Sequence, residues 1–360
     1  MTLSREGATE LFLPPRPPSR GPGRRSPVFY NPAMAADRDV GVAFARALRP
    51  PHDRSWTGWE MTAATGVRGL RLLHETGVFG AFTFTEANPE ALAVLRENVA
   101  RFPGTRAVGA DAREVVAGAP FDYVDLDPYG SPAPFVPTAL ASVRSGGVVA
   151  VTATDMMVLA GAQPAACLRR YGARPVRGRL GPEGGLRILL AYLSREARRI
   201  DRSIRPRLAY ARDHYVRAYV ELREGREDLV PVDIIDPERW TGPWVGDRGP
   251  YGPMWLGPLY EAGLVARMQV PDRASQPSEV ERFLVRLREE ASVDRPFYFE
   301  ANVLAHRLHL SAPPGLSAVE DGLRALGFRV ARTNARPGAF RTDAPRTEVE
   351  ALFRRLARPA

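Results

Sequence analysis

The sequence predicts an α/β protein: an open parallel sheet covered by helices on both faces, with a small α+β unit behind it. Three observations carry this. From about residue 56 to residue 155, short apolar runs alternate with stretches of helical character, the pattern of a parallel sheet built from successive strand–helix units. Three of the runs end in an acid, at Glu86, Asp111 and Asp127, and the carboxyl ends of parallel strands are where such sheets bind ligands. After "DHYVRAYVELREG" the texture changes, residues 237 to 258 are dense in Gly, Pro and Trp, and two short helices and a strand follow. A chain of 360 residues is long enough for two cores. The boundary is placed at 258/259.

The elements follow in order. A short N-terminal hairpin leads into residues 14 to 27, rich in Pro, Arg, Gly and Ser, an extended or flexible loop. "WTGWEM" is the first strand of the sheet, and "TAATGVRGLRLLHETG" a turn and a helix closed by Gly77. "AFTFTEAN" is the second strand, after which Asn88 caps "PEALAVLRENVARF" with Pro89 in its first position. "TRAVGADA" and "FDYVDLDP" are strands three and four, "PTALASVRSGG" a short helix, and "VVAVTATD" strand five. In the C-terminal part, Ser278 with Glu281 and Ser317 with Glu320 have capping-box spacing. The second of these helices stops at Gly327, and "FRVART" follows as a strand, an order that suggests a winged helix.

Bulk properties narrow the class. The sequence contains no apolar run of membrane-span length and no continuous apolar region at the N-terminus for a signal peptide, so the cytoplasm is the expected location. Cys167 is the single cysteine, which excludes an internal disulfide and a thiolate-rich zinc site, and no metal is expected. Net charge is +9, and all the positive charge is arginine. Biased genome composition explains that alone, while a planar guanidinium suits phosphate, so a polyanionic partner is compatible with it. Arg195, Arg198, Arg199 and Arg202 follow i, i+3, i+4, i+7 and would share one helical face, either solvated or meeting phosphates.

The chemistry concentrates at the strand ends. Gly66 and Gly69 in "AATGVRG" fit a ligand-binding turn and a helix-packing turn equally. An acid about twenty residues beyond such a turn, Glu86, suits the two ribose hydroxyls of an adenosine. An acid after the third strand, Asp111, suits an adenine amino group. "DLDPYG" is more specific. An exocyclic amine on a nucleobase is a poor nucleophile, because its lone pair is delocalised into the ring. The Asp127 carboxylate and a backbone carbonyl, left available by the turn at Pro128, can accept its two hydrogens and aim the lone pair at an electrophile. Tyr129 offers a ring for stacking the base. Asp125, two residues earlier on the same strand face, is assigned a supporting role, such as bonding a loop amide or an arginine.

On these residues the chain resembles the tRNA (guanine-N2) dimethyltransferases. The matching segments run nearly end to end: "EG" at 6, "SPVFYNPAMAADRD" at 26–39, "TAATGVRGLR" at 62–71, "DYVDLDPYGSPAPF" at 122–135, "VTATDMMVLAGAQPAACLRRYG" at 151–172, "GLRILL" at 185–190, "DHYVRAYV" at 213–220, "YGPMWLGPL" at 251–259 and "RTNARPGAFRTDAP" at 332–345. The resemblance implies a class I, Rossmann-like methyltransferase sheet, S-adenosylmethionine as cofactor, tRNA as partner with the guanosine at position 26 as target, and a C-terminal tRNA-binding unit at 259–360. No protein partner is implied. Carried over residue by residue, it places Arg38, Arg68, Glu86, Asp111 and Ala112 at the cofactor and Asp127, Pro128 and Tyr129 at the catalytic element. Phe29 is the candidate second stacking face, or else a core aromatic beneath the N-terminal loop.

The sequence departs from the family pattern at Asp37, where asparagine is usual, at Pro182 in "GPE", which replaces a Cys-His-Glu stretch, and at Asn334, where histidine is usual. The cysteines that some members carry before "YGPMWLGPL" are lacking. Two rivals share parts of the pattern: a DNA amino-methyltransferase, which uses a similar acid-proline-aromatic element, and a tRNA-binding protein without catalysis.

Overall fold

The computed structural model describes residues 1–14, 28–48, 54–115, 118–225, 231–246, 248–293 and 295–357. Nearly all of the expected loop at 14–27 lies outside them. Strands β1 (Thr2–Glu6) and β2 (Thr9–Leu13) pair as the N-terminal hairpin. Helix α1 (Ala35–Ala47) precedes the sheet. The chain then alternates: β3 (Trp56–Glu60), α2 (Val67–Thr76), β4 (Phe79–Glu86), α3 (Pro89–Val99), β5 (Thr105–Gly109), β6 (Phe121–Leu126), α4 (Val136–Ala141) and β7 (Val143–Ala153). Helices α5 (Met156–Leu159), α6 (Pro164–Tyr171) and α7 (Gly181–Arg198) follow, then β8 (Arg202–Arg212) and β9 (Tyr215–Glu224).

The seven strands lie in the order β5-β4-β3-β6-β7-β9-β8. Five are parallel, as the alternation predicts. The edge differs from the all-parallel expectation, because β9 runs antiparallel to β7 and to β8. The cause is local. Two residues join β8 to β9, with Asp213 at φ 47, and so tight a turn admits only antiparallel neighbours. No Gly or Pro marks this turn, so "DHYVRAYV" gave no hairpin signal.

Both faces of the sheet are covered. Val124 and Leu126 of β6 join one core with Leu140, Ile188 and Leu189, while Tyr123 joins the other with Phe44, Leu70 and Leu95. That is the two-residue alternation of a strand buried on both sides. Asn88 caps α3 by accepting from the Glu90 amide, and Gly77 closes α2 in the left-handed region, both as read from sequence.

Other local expectations give way. The helix expected through Gly147 ends at Ala141, because Val143 already pairs with Phe121 in the sheet. Arg202 leaves the expected arginine face: α7 ends at Arg198, and Arg202 opens β8 and donates to the Val143 carbonyl. On that helix Arg195 lies over the Tyr192 ring and bonds the Tyr171 carbonyl.

Strands β10 (Val232–Ile235) and β11 (Tyr251–Trp255) form a small ribbon. Helices α8 (Ala262–Arg267) and α9 (Pro277–Glu290) insert Leu264, Val265, Val280 and Leu284 into the core that holds Phe44 and Tyr210. A separate core of Phe299, Leu304, Val319, Leu323, Phe340, Val349 and Phe353 unites β12 (Phe299–Glu300), α10 (Ala301–Arg307), α11 (Leu316–Ala325), β13 (Val330–Arg332), β14 (Ala339–Thr342) and α12 (Arg346–Leu356). Its strands lie β12-β14-β13, in the order strand–helix–helix–hairpin, but α9, the first of the two helices that the sequence reading placed in this unit, packs instead into the core that holds Phe44 and Tyr210.

Neither capping box forms. Pro277 and Leu316 open the helices, behind Gln276 and Gly315, so each serine is already inside the first turn, and Glu320 pairs with Arg332 instead. Arg341 of β14 pins this unit to the sheet domain, bonding Glu183 of α7 at 2.8 Å and Glu290 of α9 at 3.0 Å. All three side chains are buried. Burial raises the Glu183 carboxyl, but Arg341 and Arg187 outweigh it and hold the group at about 2.

Candidate active site

The carboxyl ends of β3, β4, β5 and β6 lie side by side in the sheet. After β3, Ala64 and Gly66 take left-handed φ values of 48 and 74, which fold "TAATG" into a tight turn opening α2. A Cβ on Gly66 would come within 2.8 Å of Leu95, so both conformation and packing require glycine there. Glu86, at the end of β4, accepts from the Ala64 amide at 2.7 Å and from the Asn88 amide at 2.8 Å. A carboxylate has about four lone-pair sites, which leaves capacity for further donors. Asp111, past the end of β5, accepts from the Arg113 amide, and that residue's side chain folds back on it and holds the carboxyl at about 2. Ala112 is buried in the core beside them.

Asp127 follows the last residue of β6, and its side chain is 28% exposed. Arg68 of α2 reaches it at 2.7 Å and divides its guanidinium with Asp37 at 2.9 Å. Beneath lies Asp125, fully buried, bonded by the Tyr123 hydroxyl and by Arg217 at 2.6 Å. The arginine partner foreseen for Asp125 is therefore Arg217. Tyr129 and Phe29 stand at the mouth, 67% and 45% exposed, with ring centroids 6.5 Å apart at 75°. Phe29 is thus a surface ring beside Tyr129 and not a core aromatic.

Arg38 is placed differently from Arg68. It gives Nε and Nη2 to the two Glu6 oxygens at 2.6 Å each, a buried pair that ties the N-terminal hairpin to α1. The "EG" match has its physical reason here: Glu6 also receives Tyr30 and Arg71, and a Cβ on Gly7 would lie 2.3 Å from Arg71.

The sequence reading missed Glu60, Tyr210 and Arg217. Glu60 ends β3, is buried and accepts from the Gly69 amide at 2.8 Å. Burial, and then the Asp125 charge, push its carboxyl up to about 8. Tyr210 donates to Asp37 at 2.6 Å. A charged residue inside an apolar strand, as in "YVRAYV" and "TGWEM", is the signal that was available.

A family model described as N2,N2-dimethylguanosine tRNA methyltransferase matches residues 21–231 and 246–354. The chain belongs to this family. The tRNA (guanine(26)-N(2))-dimethyltransferase of Pyrococcus abyssi is 34% identical over 353 residues, covering 89% of this chain and 91% of its own length. The enzyme of the same description from Pyrobaculum arsenaticum is 34% identical over 374 residues, covering 98% of each. Among solved structures, Trm1 from Pyrococcus horikoshii in complex with S-adenosyl-L-methionine superposes with a TM-score of 0.85 at 30% identity, covering 99% of this chain and 100% of that one.

Within this dimethyltransferase fold, the departures at Pro182 and Asn334 both line a cavity of about 520 Å³ between the sheet domain and the C-terminal unit. Tyr210 lines the same cavity, and through it the third departure, Asp37, is coupled to that space. Asn334 donates its side-chain amide to the Phe283 carbonyl at 3.0 Å and its backbone amide to Glu290. Among the described residues no group of three or more His, Cys, Asp or Glu side chains could hold a metal ion, and no helix is long and apolar enough to cross a membrane.

Proposed function

We propose that this chain transfers methyl groups from S-adenosylmethionine to the exocyclic N2 of guanosine at position 26 of tRNA, in the cytoplasm, giving mono- and then dimethylguanosine. The observation that carries the reading is Asp127 at the end of β6, two residues before Tyr129, whose exposed ring meets that of Phe29, with acids at the ends of the neighbouring strands.

The residues present fit the cofactor. The Oγ1 atoms of Thr62 and Thr65, in the turn after β3, are enclosed without a hydrogen-bond partner among the described residues. Buried hydroxyls normally find partners, so the turn has donors and acceptors in hand. Glu86 suits the ribose hydroxyls, Asp111 and Ala112 the adenine side, and Arg68 the methionine carboxylate or its neighbours, while Arg38, engaged by Glu6, would act there only by holding the hairpin and α1 together. When bound, the cofactor supplies an electrophilic methyl on a sulfonium.

The remaining work falls to the chain's own residues. The target guanine must leave its stack to be reached. Tyr129 and Phe29 offer their rings to the exposed base. The Asp127 carboxylate and a carbonyl of the Asp127–Pro128 turn accept the N2 hydrogens, which localises the lone pair and orients it. Asp127 then takes the proton that the nitrogen releases as it gains the methyl, and Arg68 holds the carboxylate in place beforehand. The second methyl uses the same nitrogen, turned to present its remaining hydrogen.

Incubation of unmodified tRNA and of duplex DNA with labelled cofactor, followed by mass spectrometry of the nucleosides, tests this. N2-methylated and N2,N2-dimethylated guanosine from tRNA are expected. Methylation of DNA bases, or no transfer to tRNA, overturns it.

A further inference from the structure

We infer that a second, basic cleft, between the N-terminal end of α7 and the C-terminal unit, holds the phosphate backbone of the tRNA away from the nucleotide being methylated. The inference rests on the tRNA reading above and assigns part of the substrate to a place. The cleft has a volume of about 400 Å³ and is lined by Arg177, Arg179, Arg307, Arg346 and Arg354 around Trp244. Against these five guanidiniums the described lining has two carboxylates, Glu300 and Glu350. The excess is positive although the arginines come from three separate parts of the chain.

The arginines are arranged, not merely collected. The Arg307 guanidinium lies 3.9 Å from the centre of the Trp244 ring and that of Arg346 lies 5.1 Å from it. Stacking on the indole holds both guanidiniums in place over one ring. Arg346 and Arg354 lie eight residues apart on α12, two turns along one stripe of the helix. Arg177 donates Nε to the Gly161 carbonyl at 2.6 Å, which fixes its stem against the loop after α5. Side chains held this way lose less freedom when a ligand arrives.

Location selects RNA over another polyanion. Ala153, the last residue of β7, pairs with Val216 next to the β8–β9 turn, so this turn lies at the same end of the sheet as Asp127. Helix α7 packs on β8 and runs back along it, and its first residues, Pro182 and Glu183, line a cavity with Arg212 from that end. Arg177 and Arg179 immediately precede those residues. One wall of the basic cleft therefore starts at the end of the sheet that carries Asp127, and a folded RNA engaged there can extend to it.

The test is the double variant Arg307→Ala with Arg354→Ala, neither residue belonging to the methyl-transfer site, in the full chain. Affinity for an unmodified tRNA transcript is measured over a range of salt, with cofactor affinity and the single-turnover rate at saturating tRNA alongside. Expected are a roughly tenfold or greater loss of tRNA affinity and a shallower log–log salt dependence, by about one for each phosphate no longer neutralised. Cofactor affinity and the saturated rate stay at wild-type values, and the paired lysine substitutions recover part of the affinity. Wild-type tRNA affinity and salt slope in the alanine variant overturn the assignment, as does retained tRNA affinity with lost capture of an acidic peptide. A wild-type chain that binds tRNA without methylating it defeats the activity reading, while the affinity measurements still decide the cleft.

Discussion

Nη2 of Arg68 lies 2.7 Å from Oδ2 of Asp127, so the carboxylate assigned to the reacting amine is held by a buried cation. The same guanidinium bonds Asp37, and its Nε lies 3.6 Å from Asp125. Only the Asp127 side chain of these three acids reaches solvent to any extent.

Asp127→Asn keeps shape and an acceptor but removes the charge and the proton sink, and Asp127→Ala removes both. Either change should slow methyl transfer far more than it weakens cofactor binding, with alanine the worse. Loss of one electrostatic partner aimed at the transition state costs about 100- to 1000-fold in rate. Single-turnover methylation of tRNA paired with cofactor titration measures both. A folded alanine variant with a near-normal rate would show that Asp127 does not perform this role.

Glu86→Ala should weaken cofactor binding by roughly 1.5–3 kcal/mol for each charge-assisted hydrogen bond removed. Alanine also strips the Ala64 and Asn88 amides of their acceptor. Glu86→Gln keeps one acceptor oxygen, enough for the Ala64 or the Asn88 amide but not both, and so restores part of the turn without the charge. Calorimetry with the cofactor alone decides, and unchanged affinity in both variants removes Glu86 from the site.

Asp37→Ala should destabilise the fold by about 3–5 kcal/mol, because it leaves Arg68 short of a buried partner. Asp37→Asn should cost only part of that, because an amide can still accept from Arg68 and donate to the Tyr210 oxygen. Burial raises the Asp37 carboxyl, yet Arg68, Arg217 and Tyr210 hold it at about 2. Thermal melts of the two variants give the comparison, and equal losses would contradict it.

Glu60 and Glu183 should move stability with pH in opposite directions. The folded Glu183 carboxyl sits at about 2 against an ordinary 4.5. Its contribution is therefore complete above pH 4.5 and fades as pH falls through 2. Glu60 sits at about 8 in the folded chain against the same ordinary value. Between pH 4.5 and 8 the folded state holds a proton that the unfolded state has released, so stability falls as pH rises through that window. Glu60→Gln, which can still accept from the Gly69 amide, should flatten the alkaline side of the profile, and Glu183→Gln the acid side. Denaturant unfolding from pH 3 to 9 reads both slopes, and profiles parallel to wild type would refute the assignment.

Much of this protein could be read in one dimension because the relevant physics is short-ranged. The alternation at Tyr123–Leu126, the cap at Asn88, the left-handed stop at Gly77 and the acids after successive strands each depend on residues within a few positions of one another. So does the proline turn that leaves Asp127 at a strand's edge. Phe29 and Tyr129 meet, one of the two placements the sequence left open for Phe29, although they stand 100 positions apart.

What sequence could not reveal is which partner each buried charge takes. Tyr210 meets Asp37 across 173 positions, Arg341 meets Glu183 across 158, and Arg217 meets Asp125 across 92. No periodicity records such pairings. They follow from the β8–β9 turn, which brings Arg217 and Tyr210 against the parallel strands, and from the seating of the C-terminal unit on α7. Burial then makes them decisive, since a charge removed from water must find its counterpart wherever the fold has carried it.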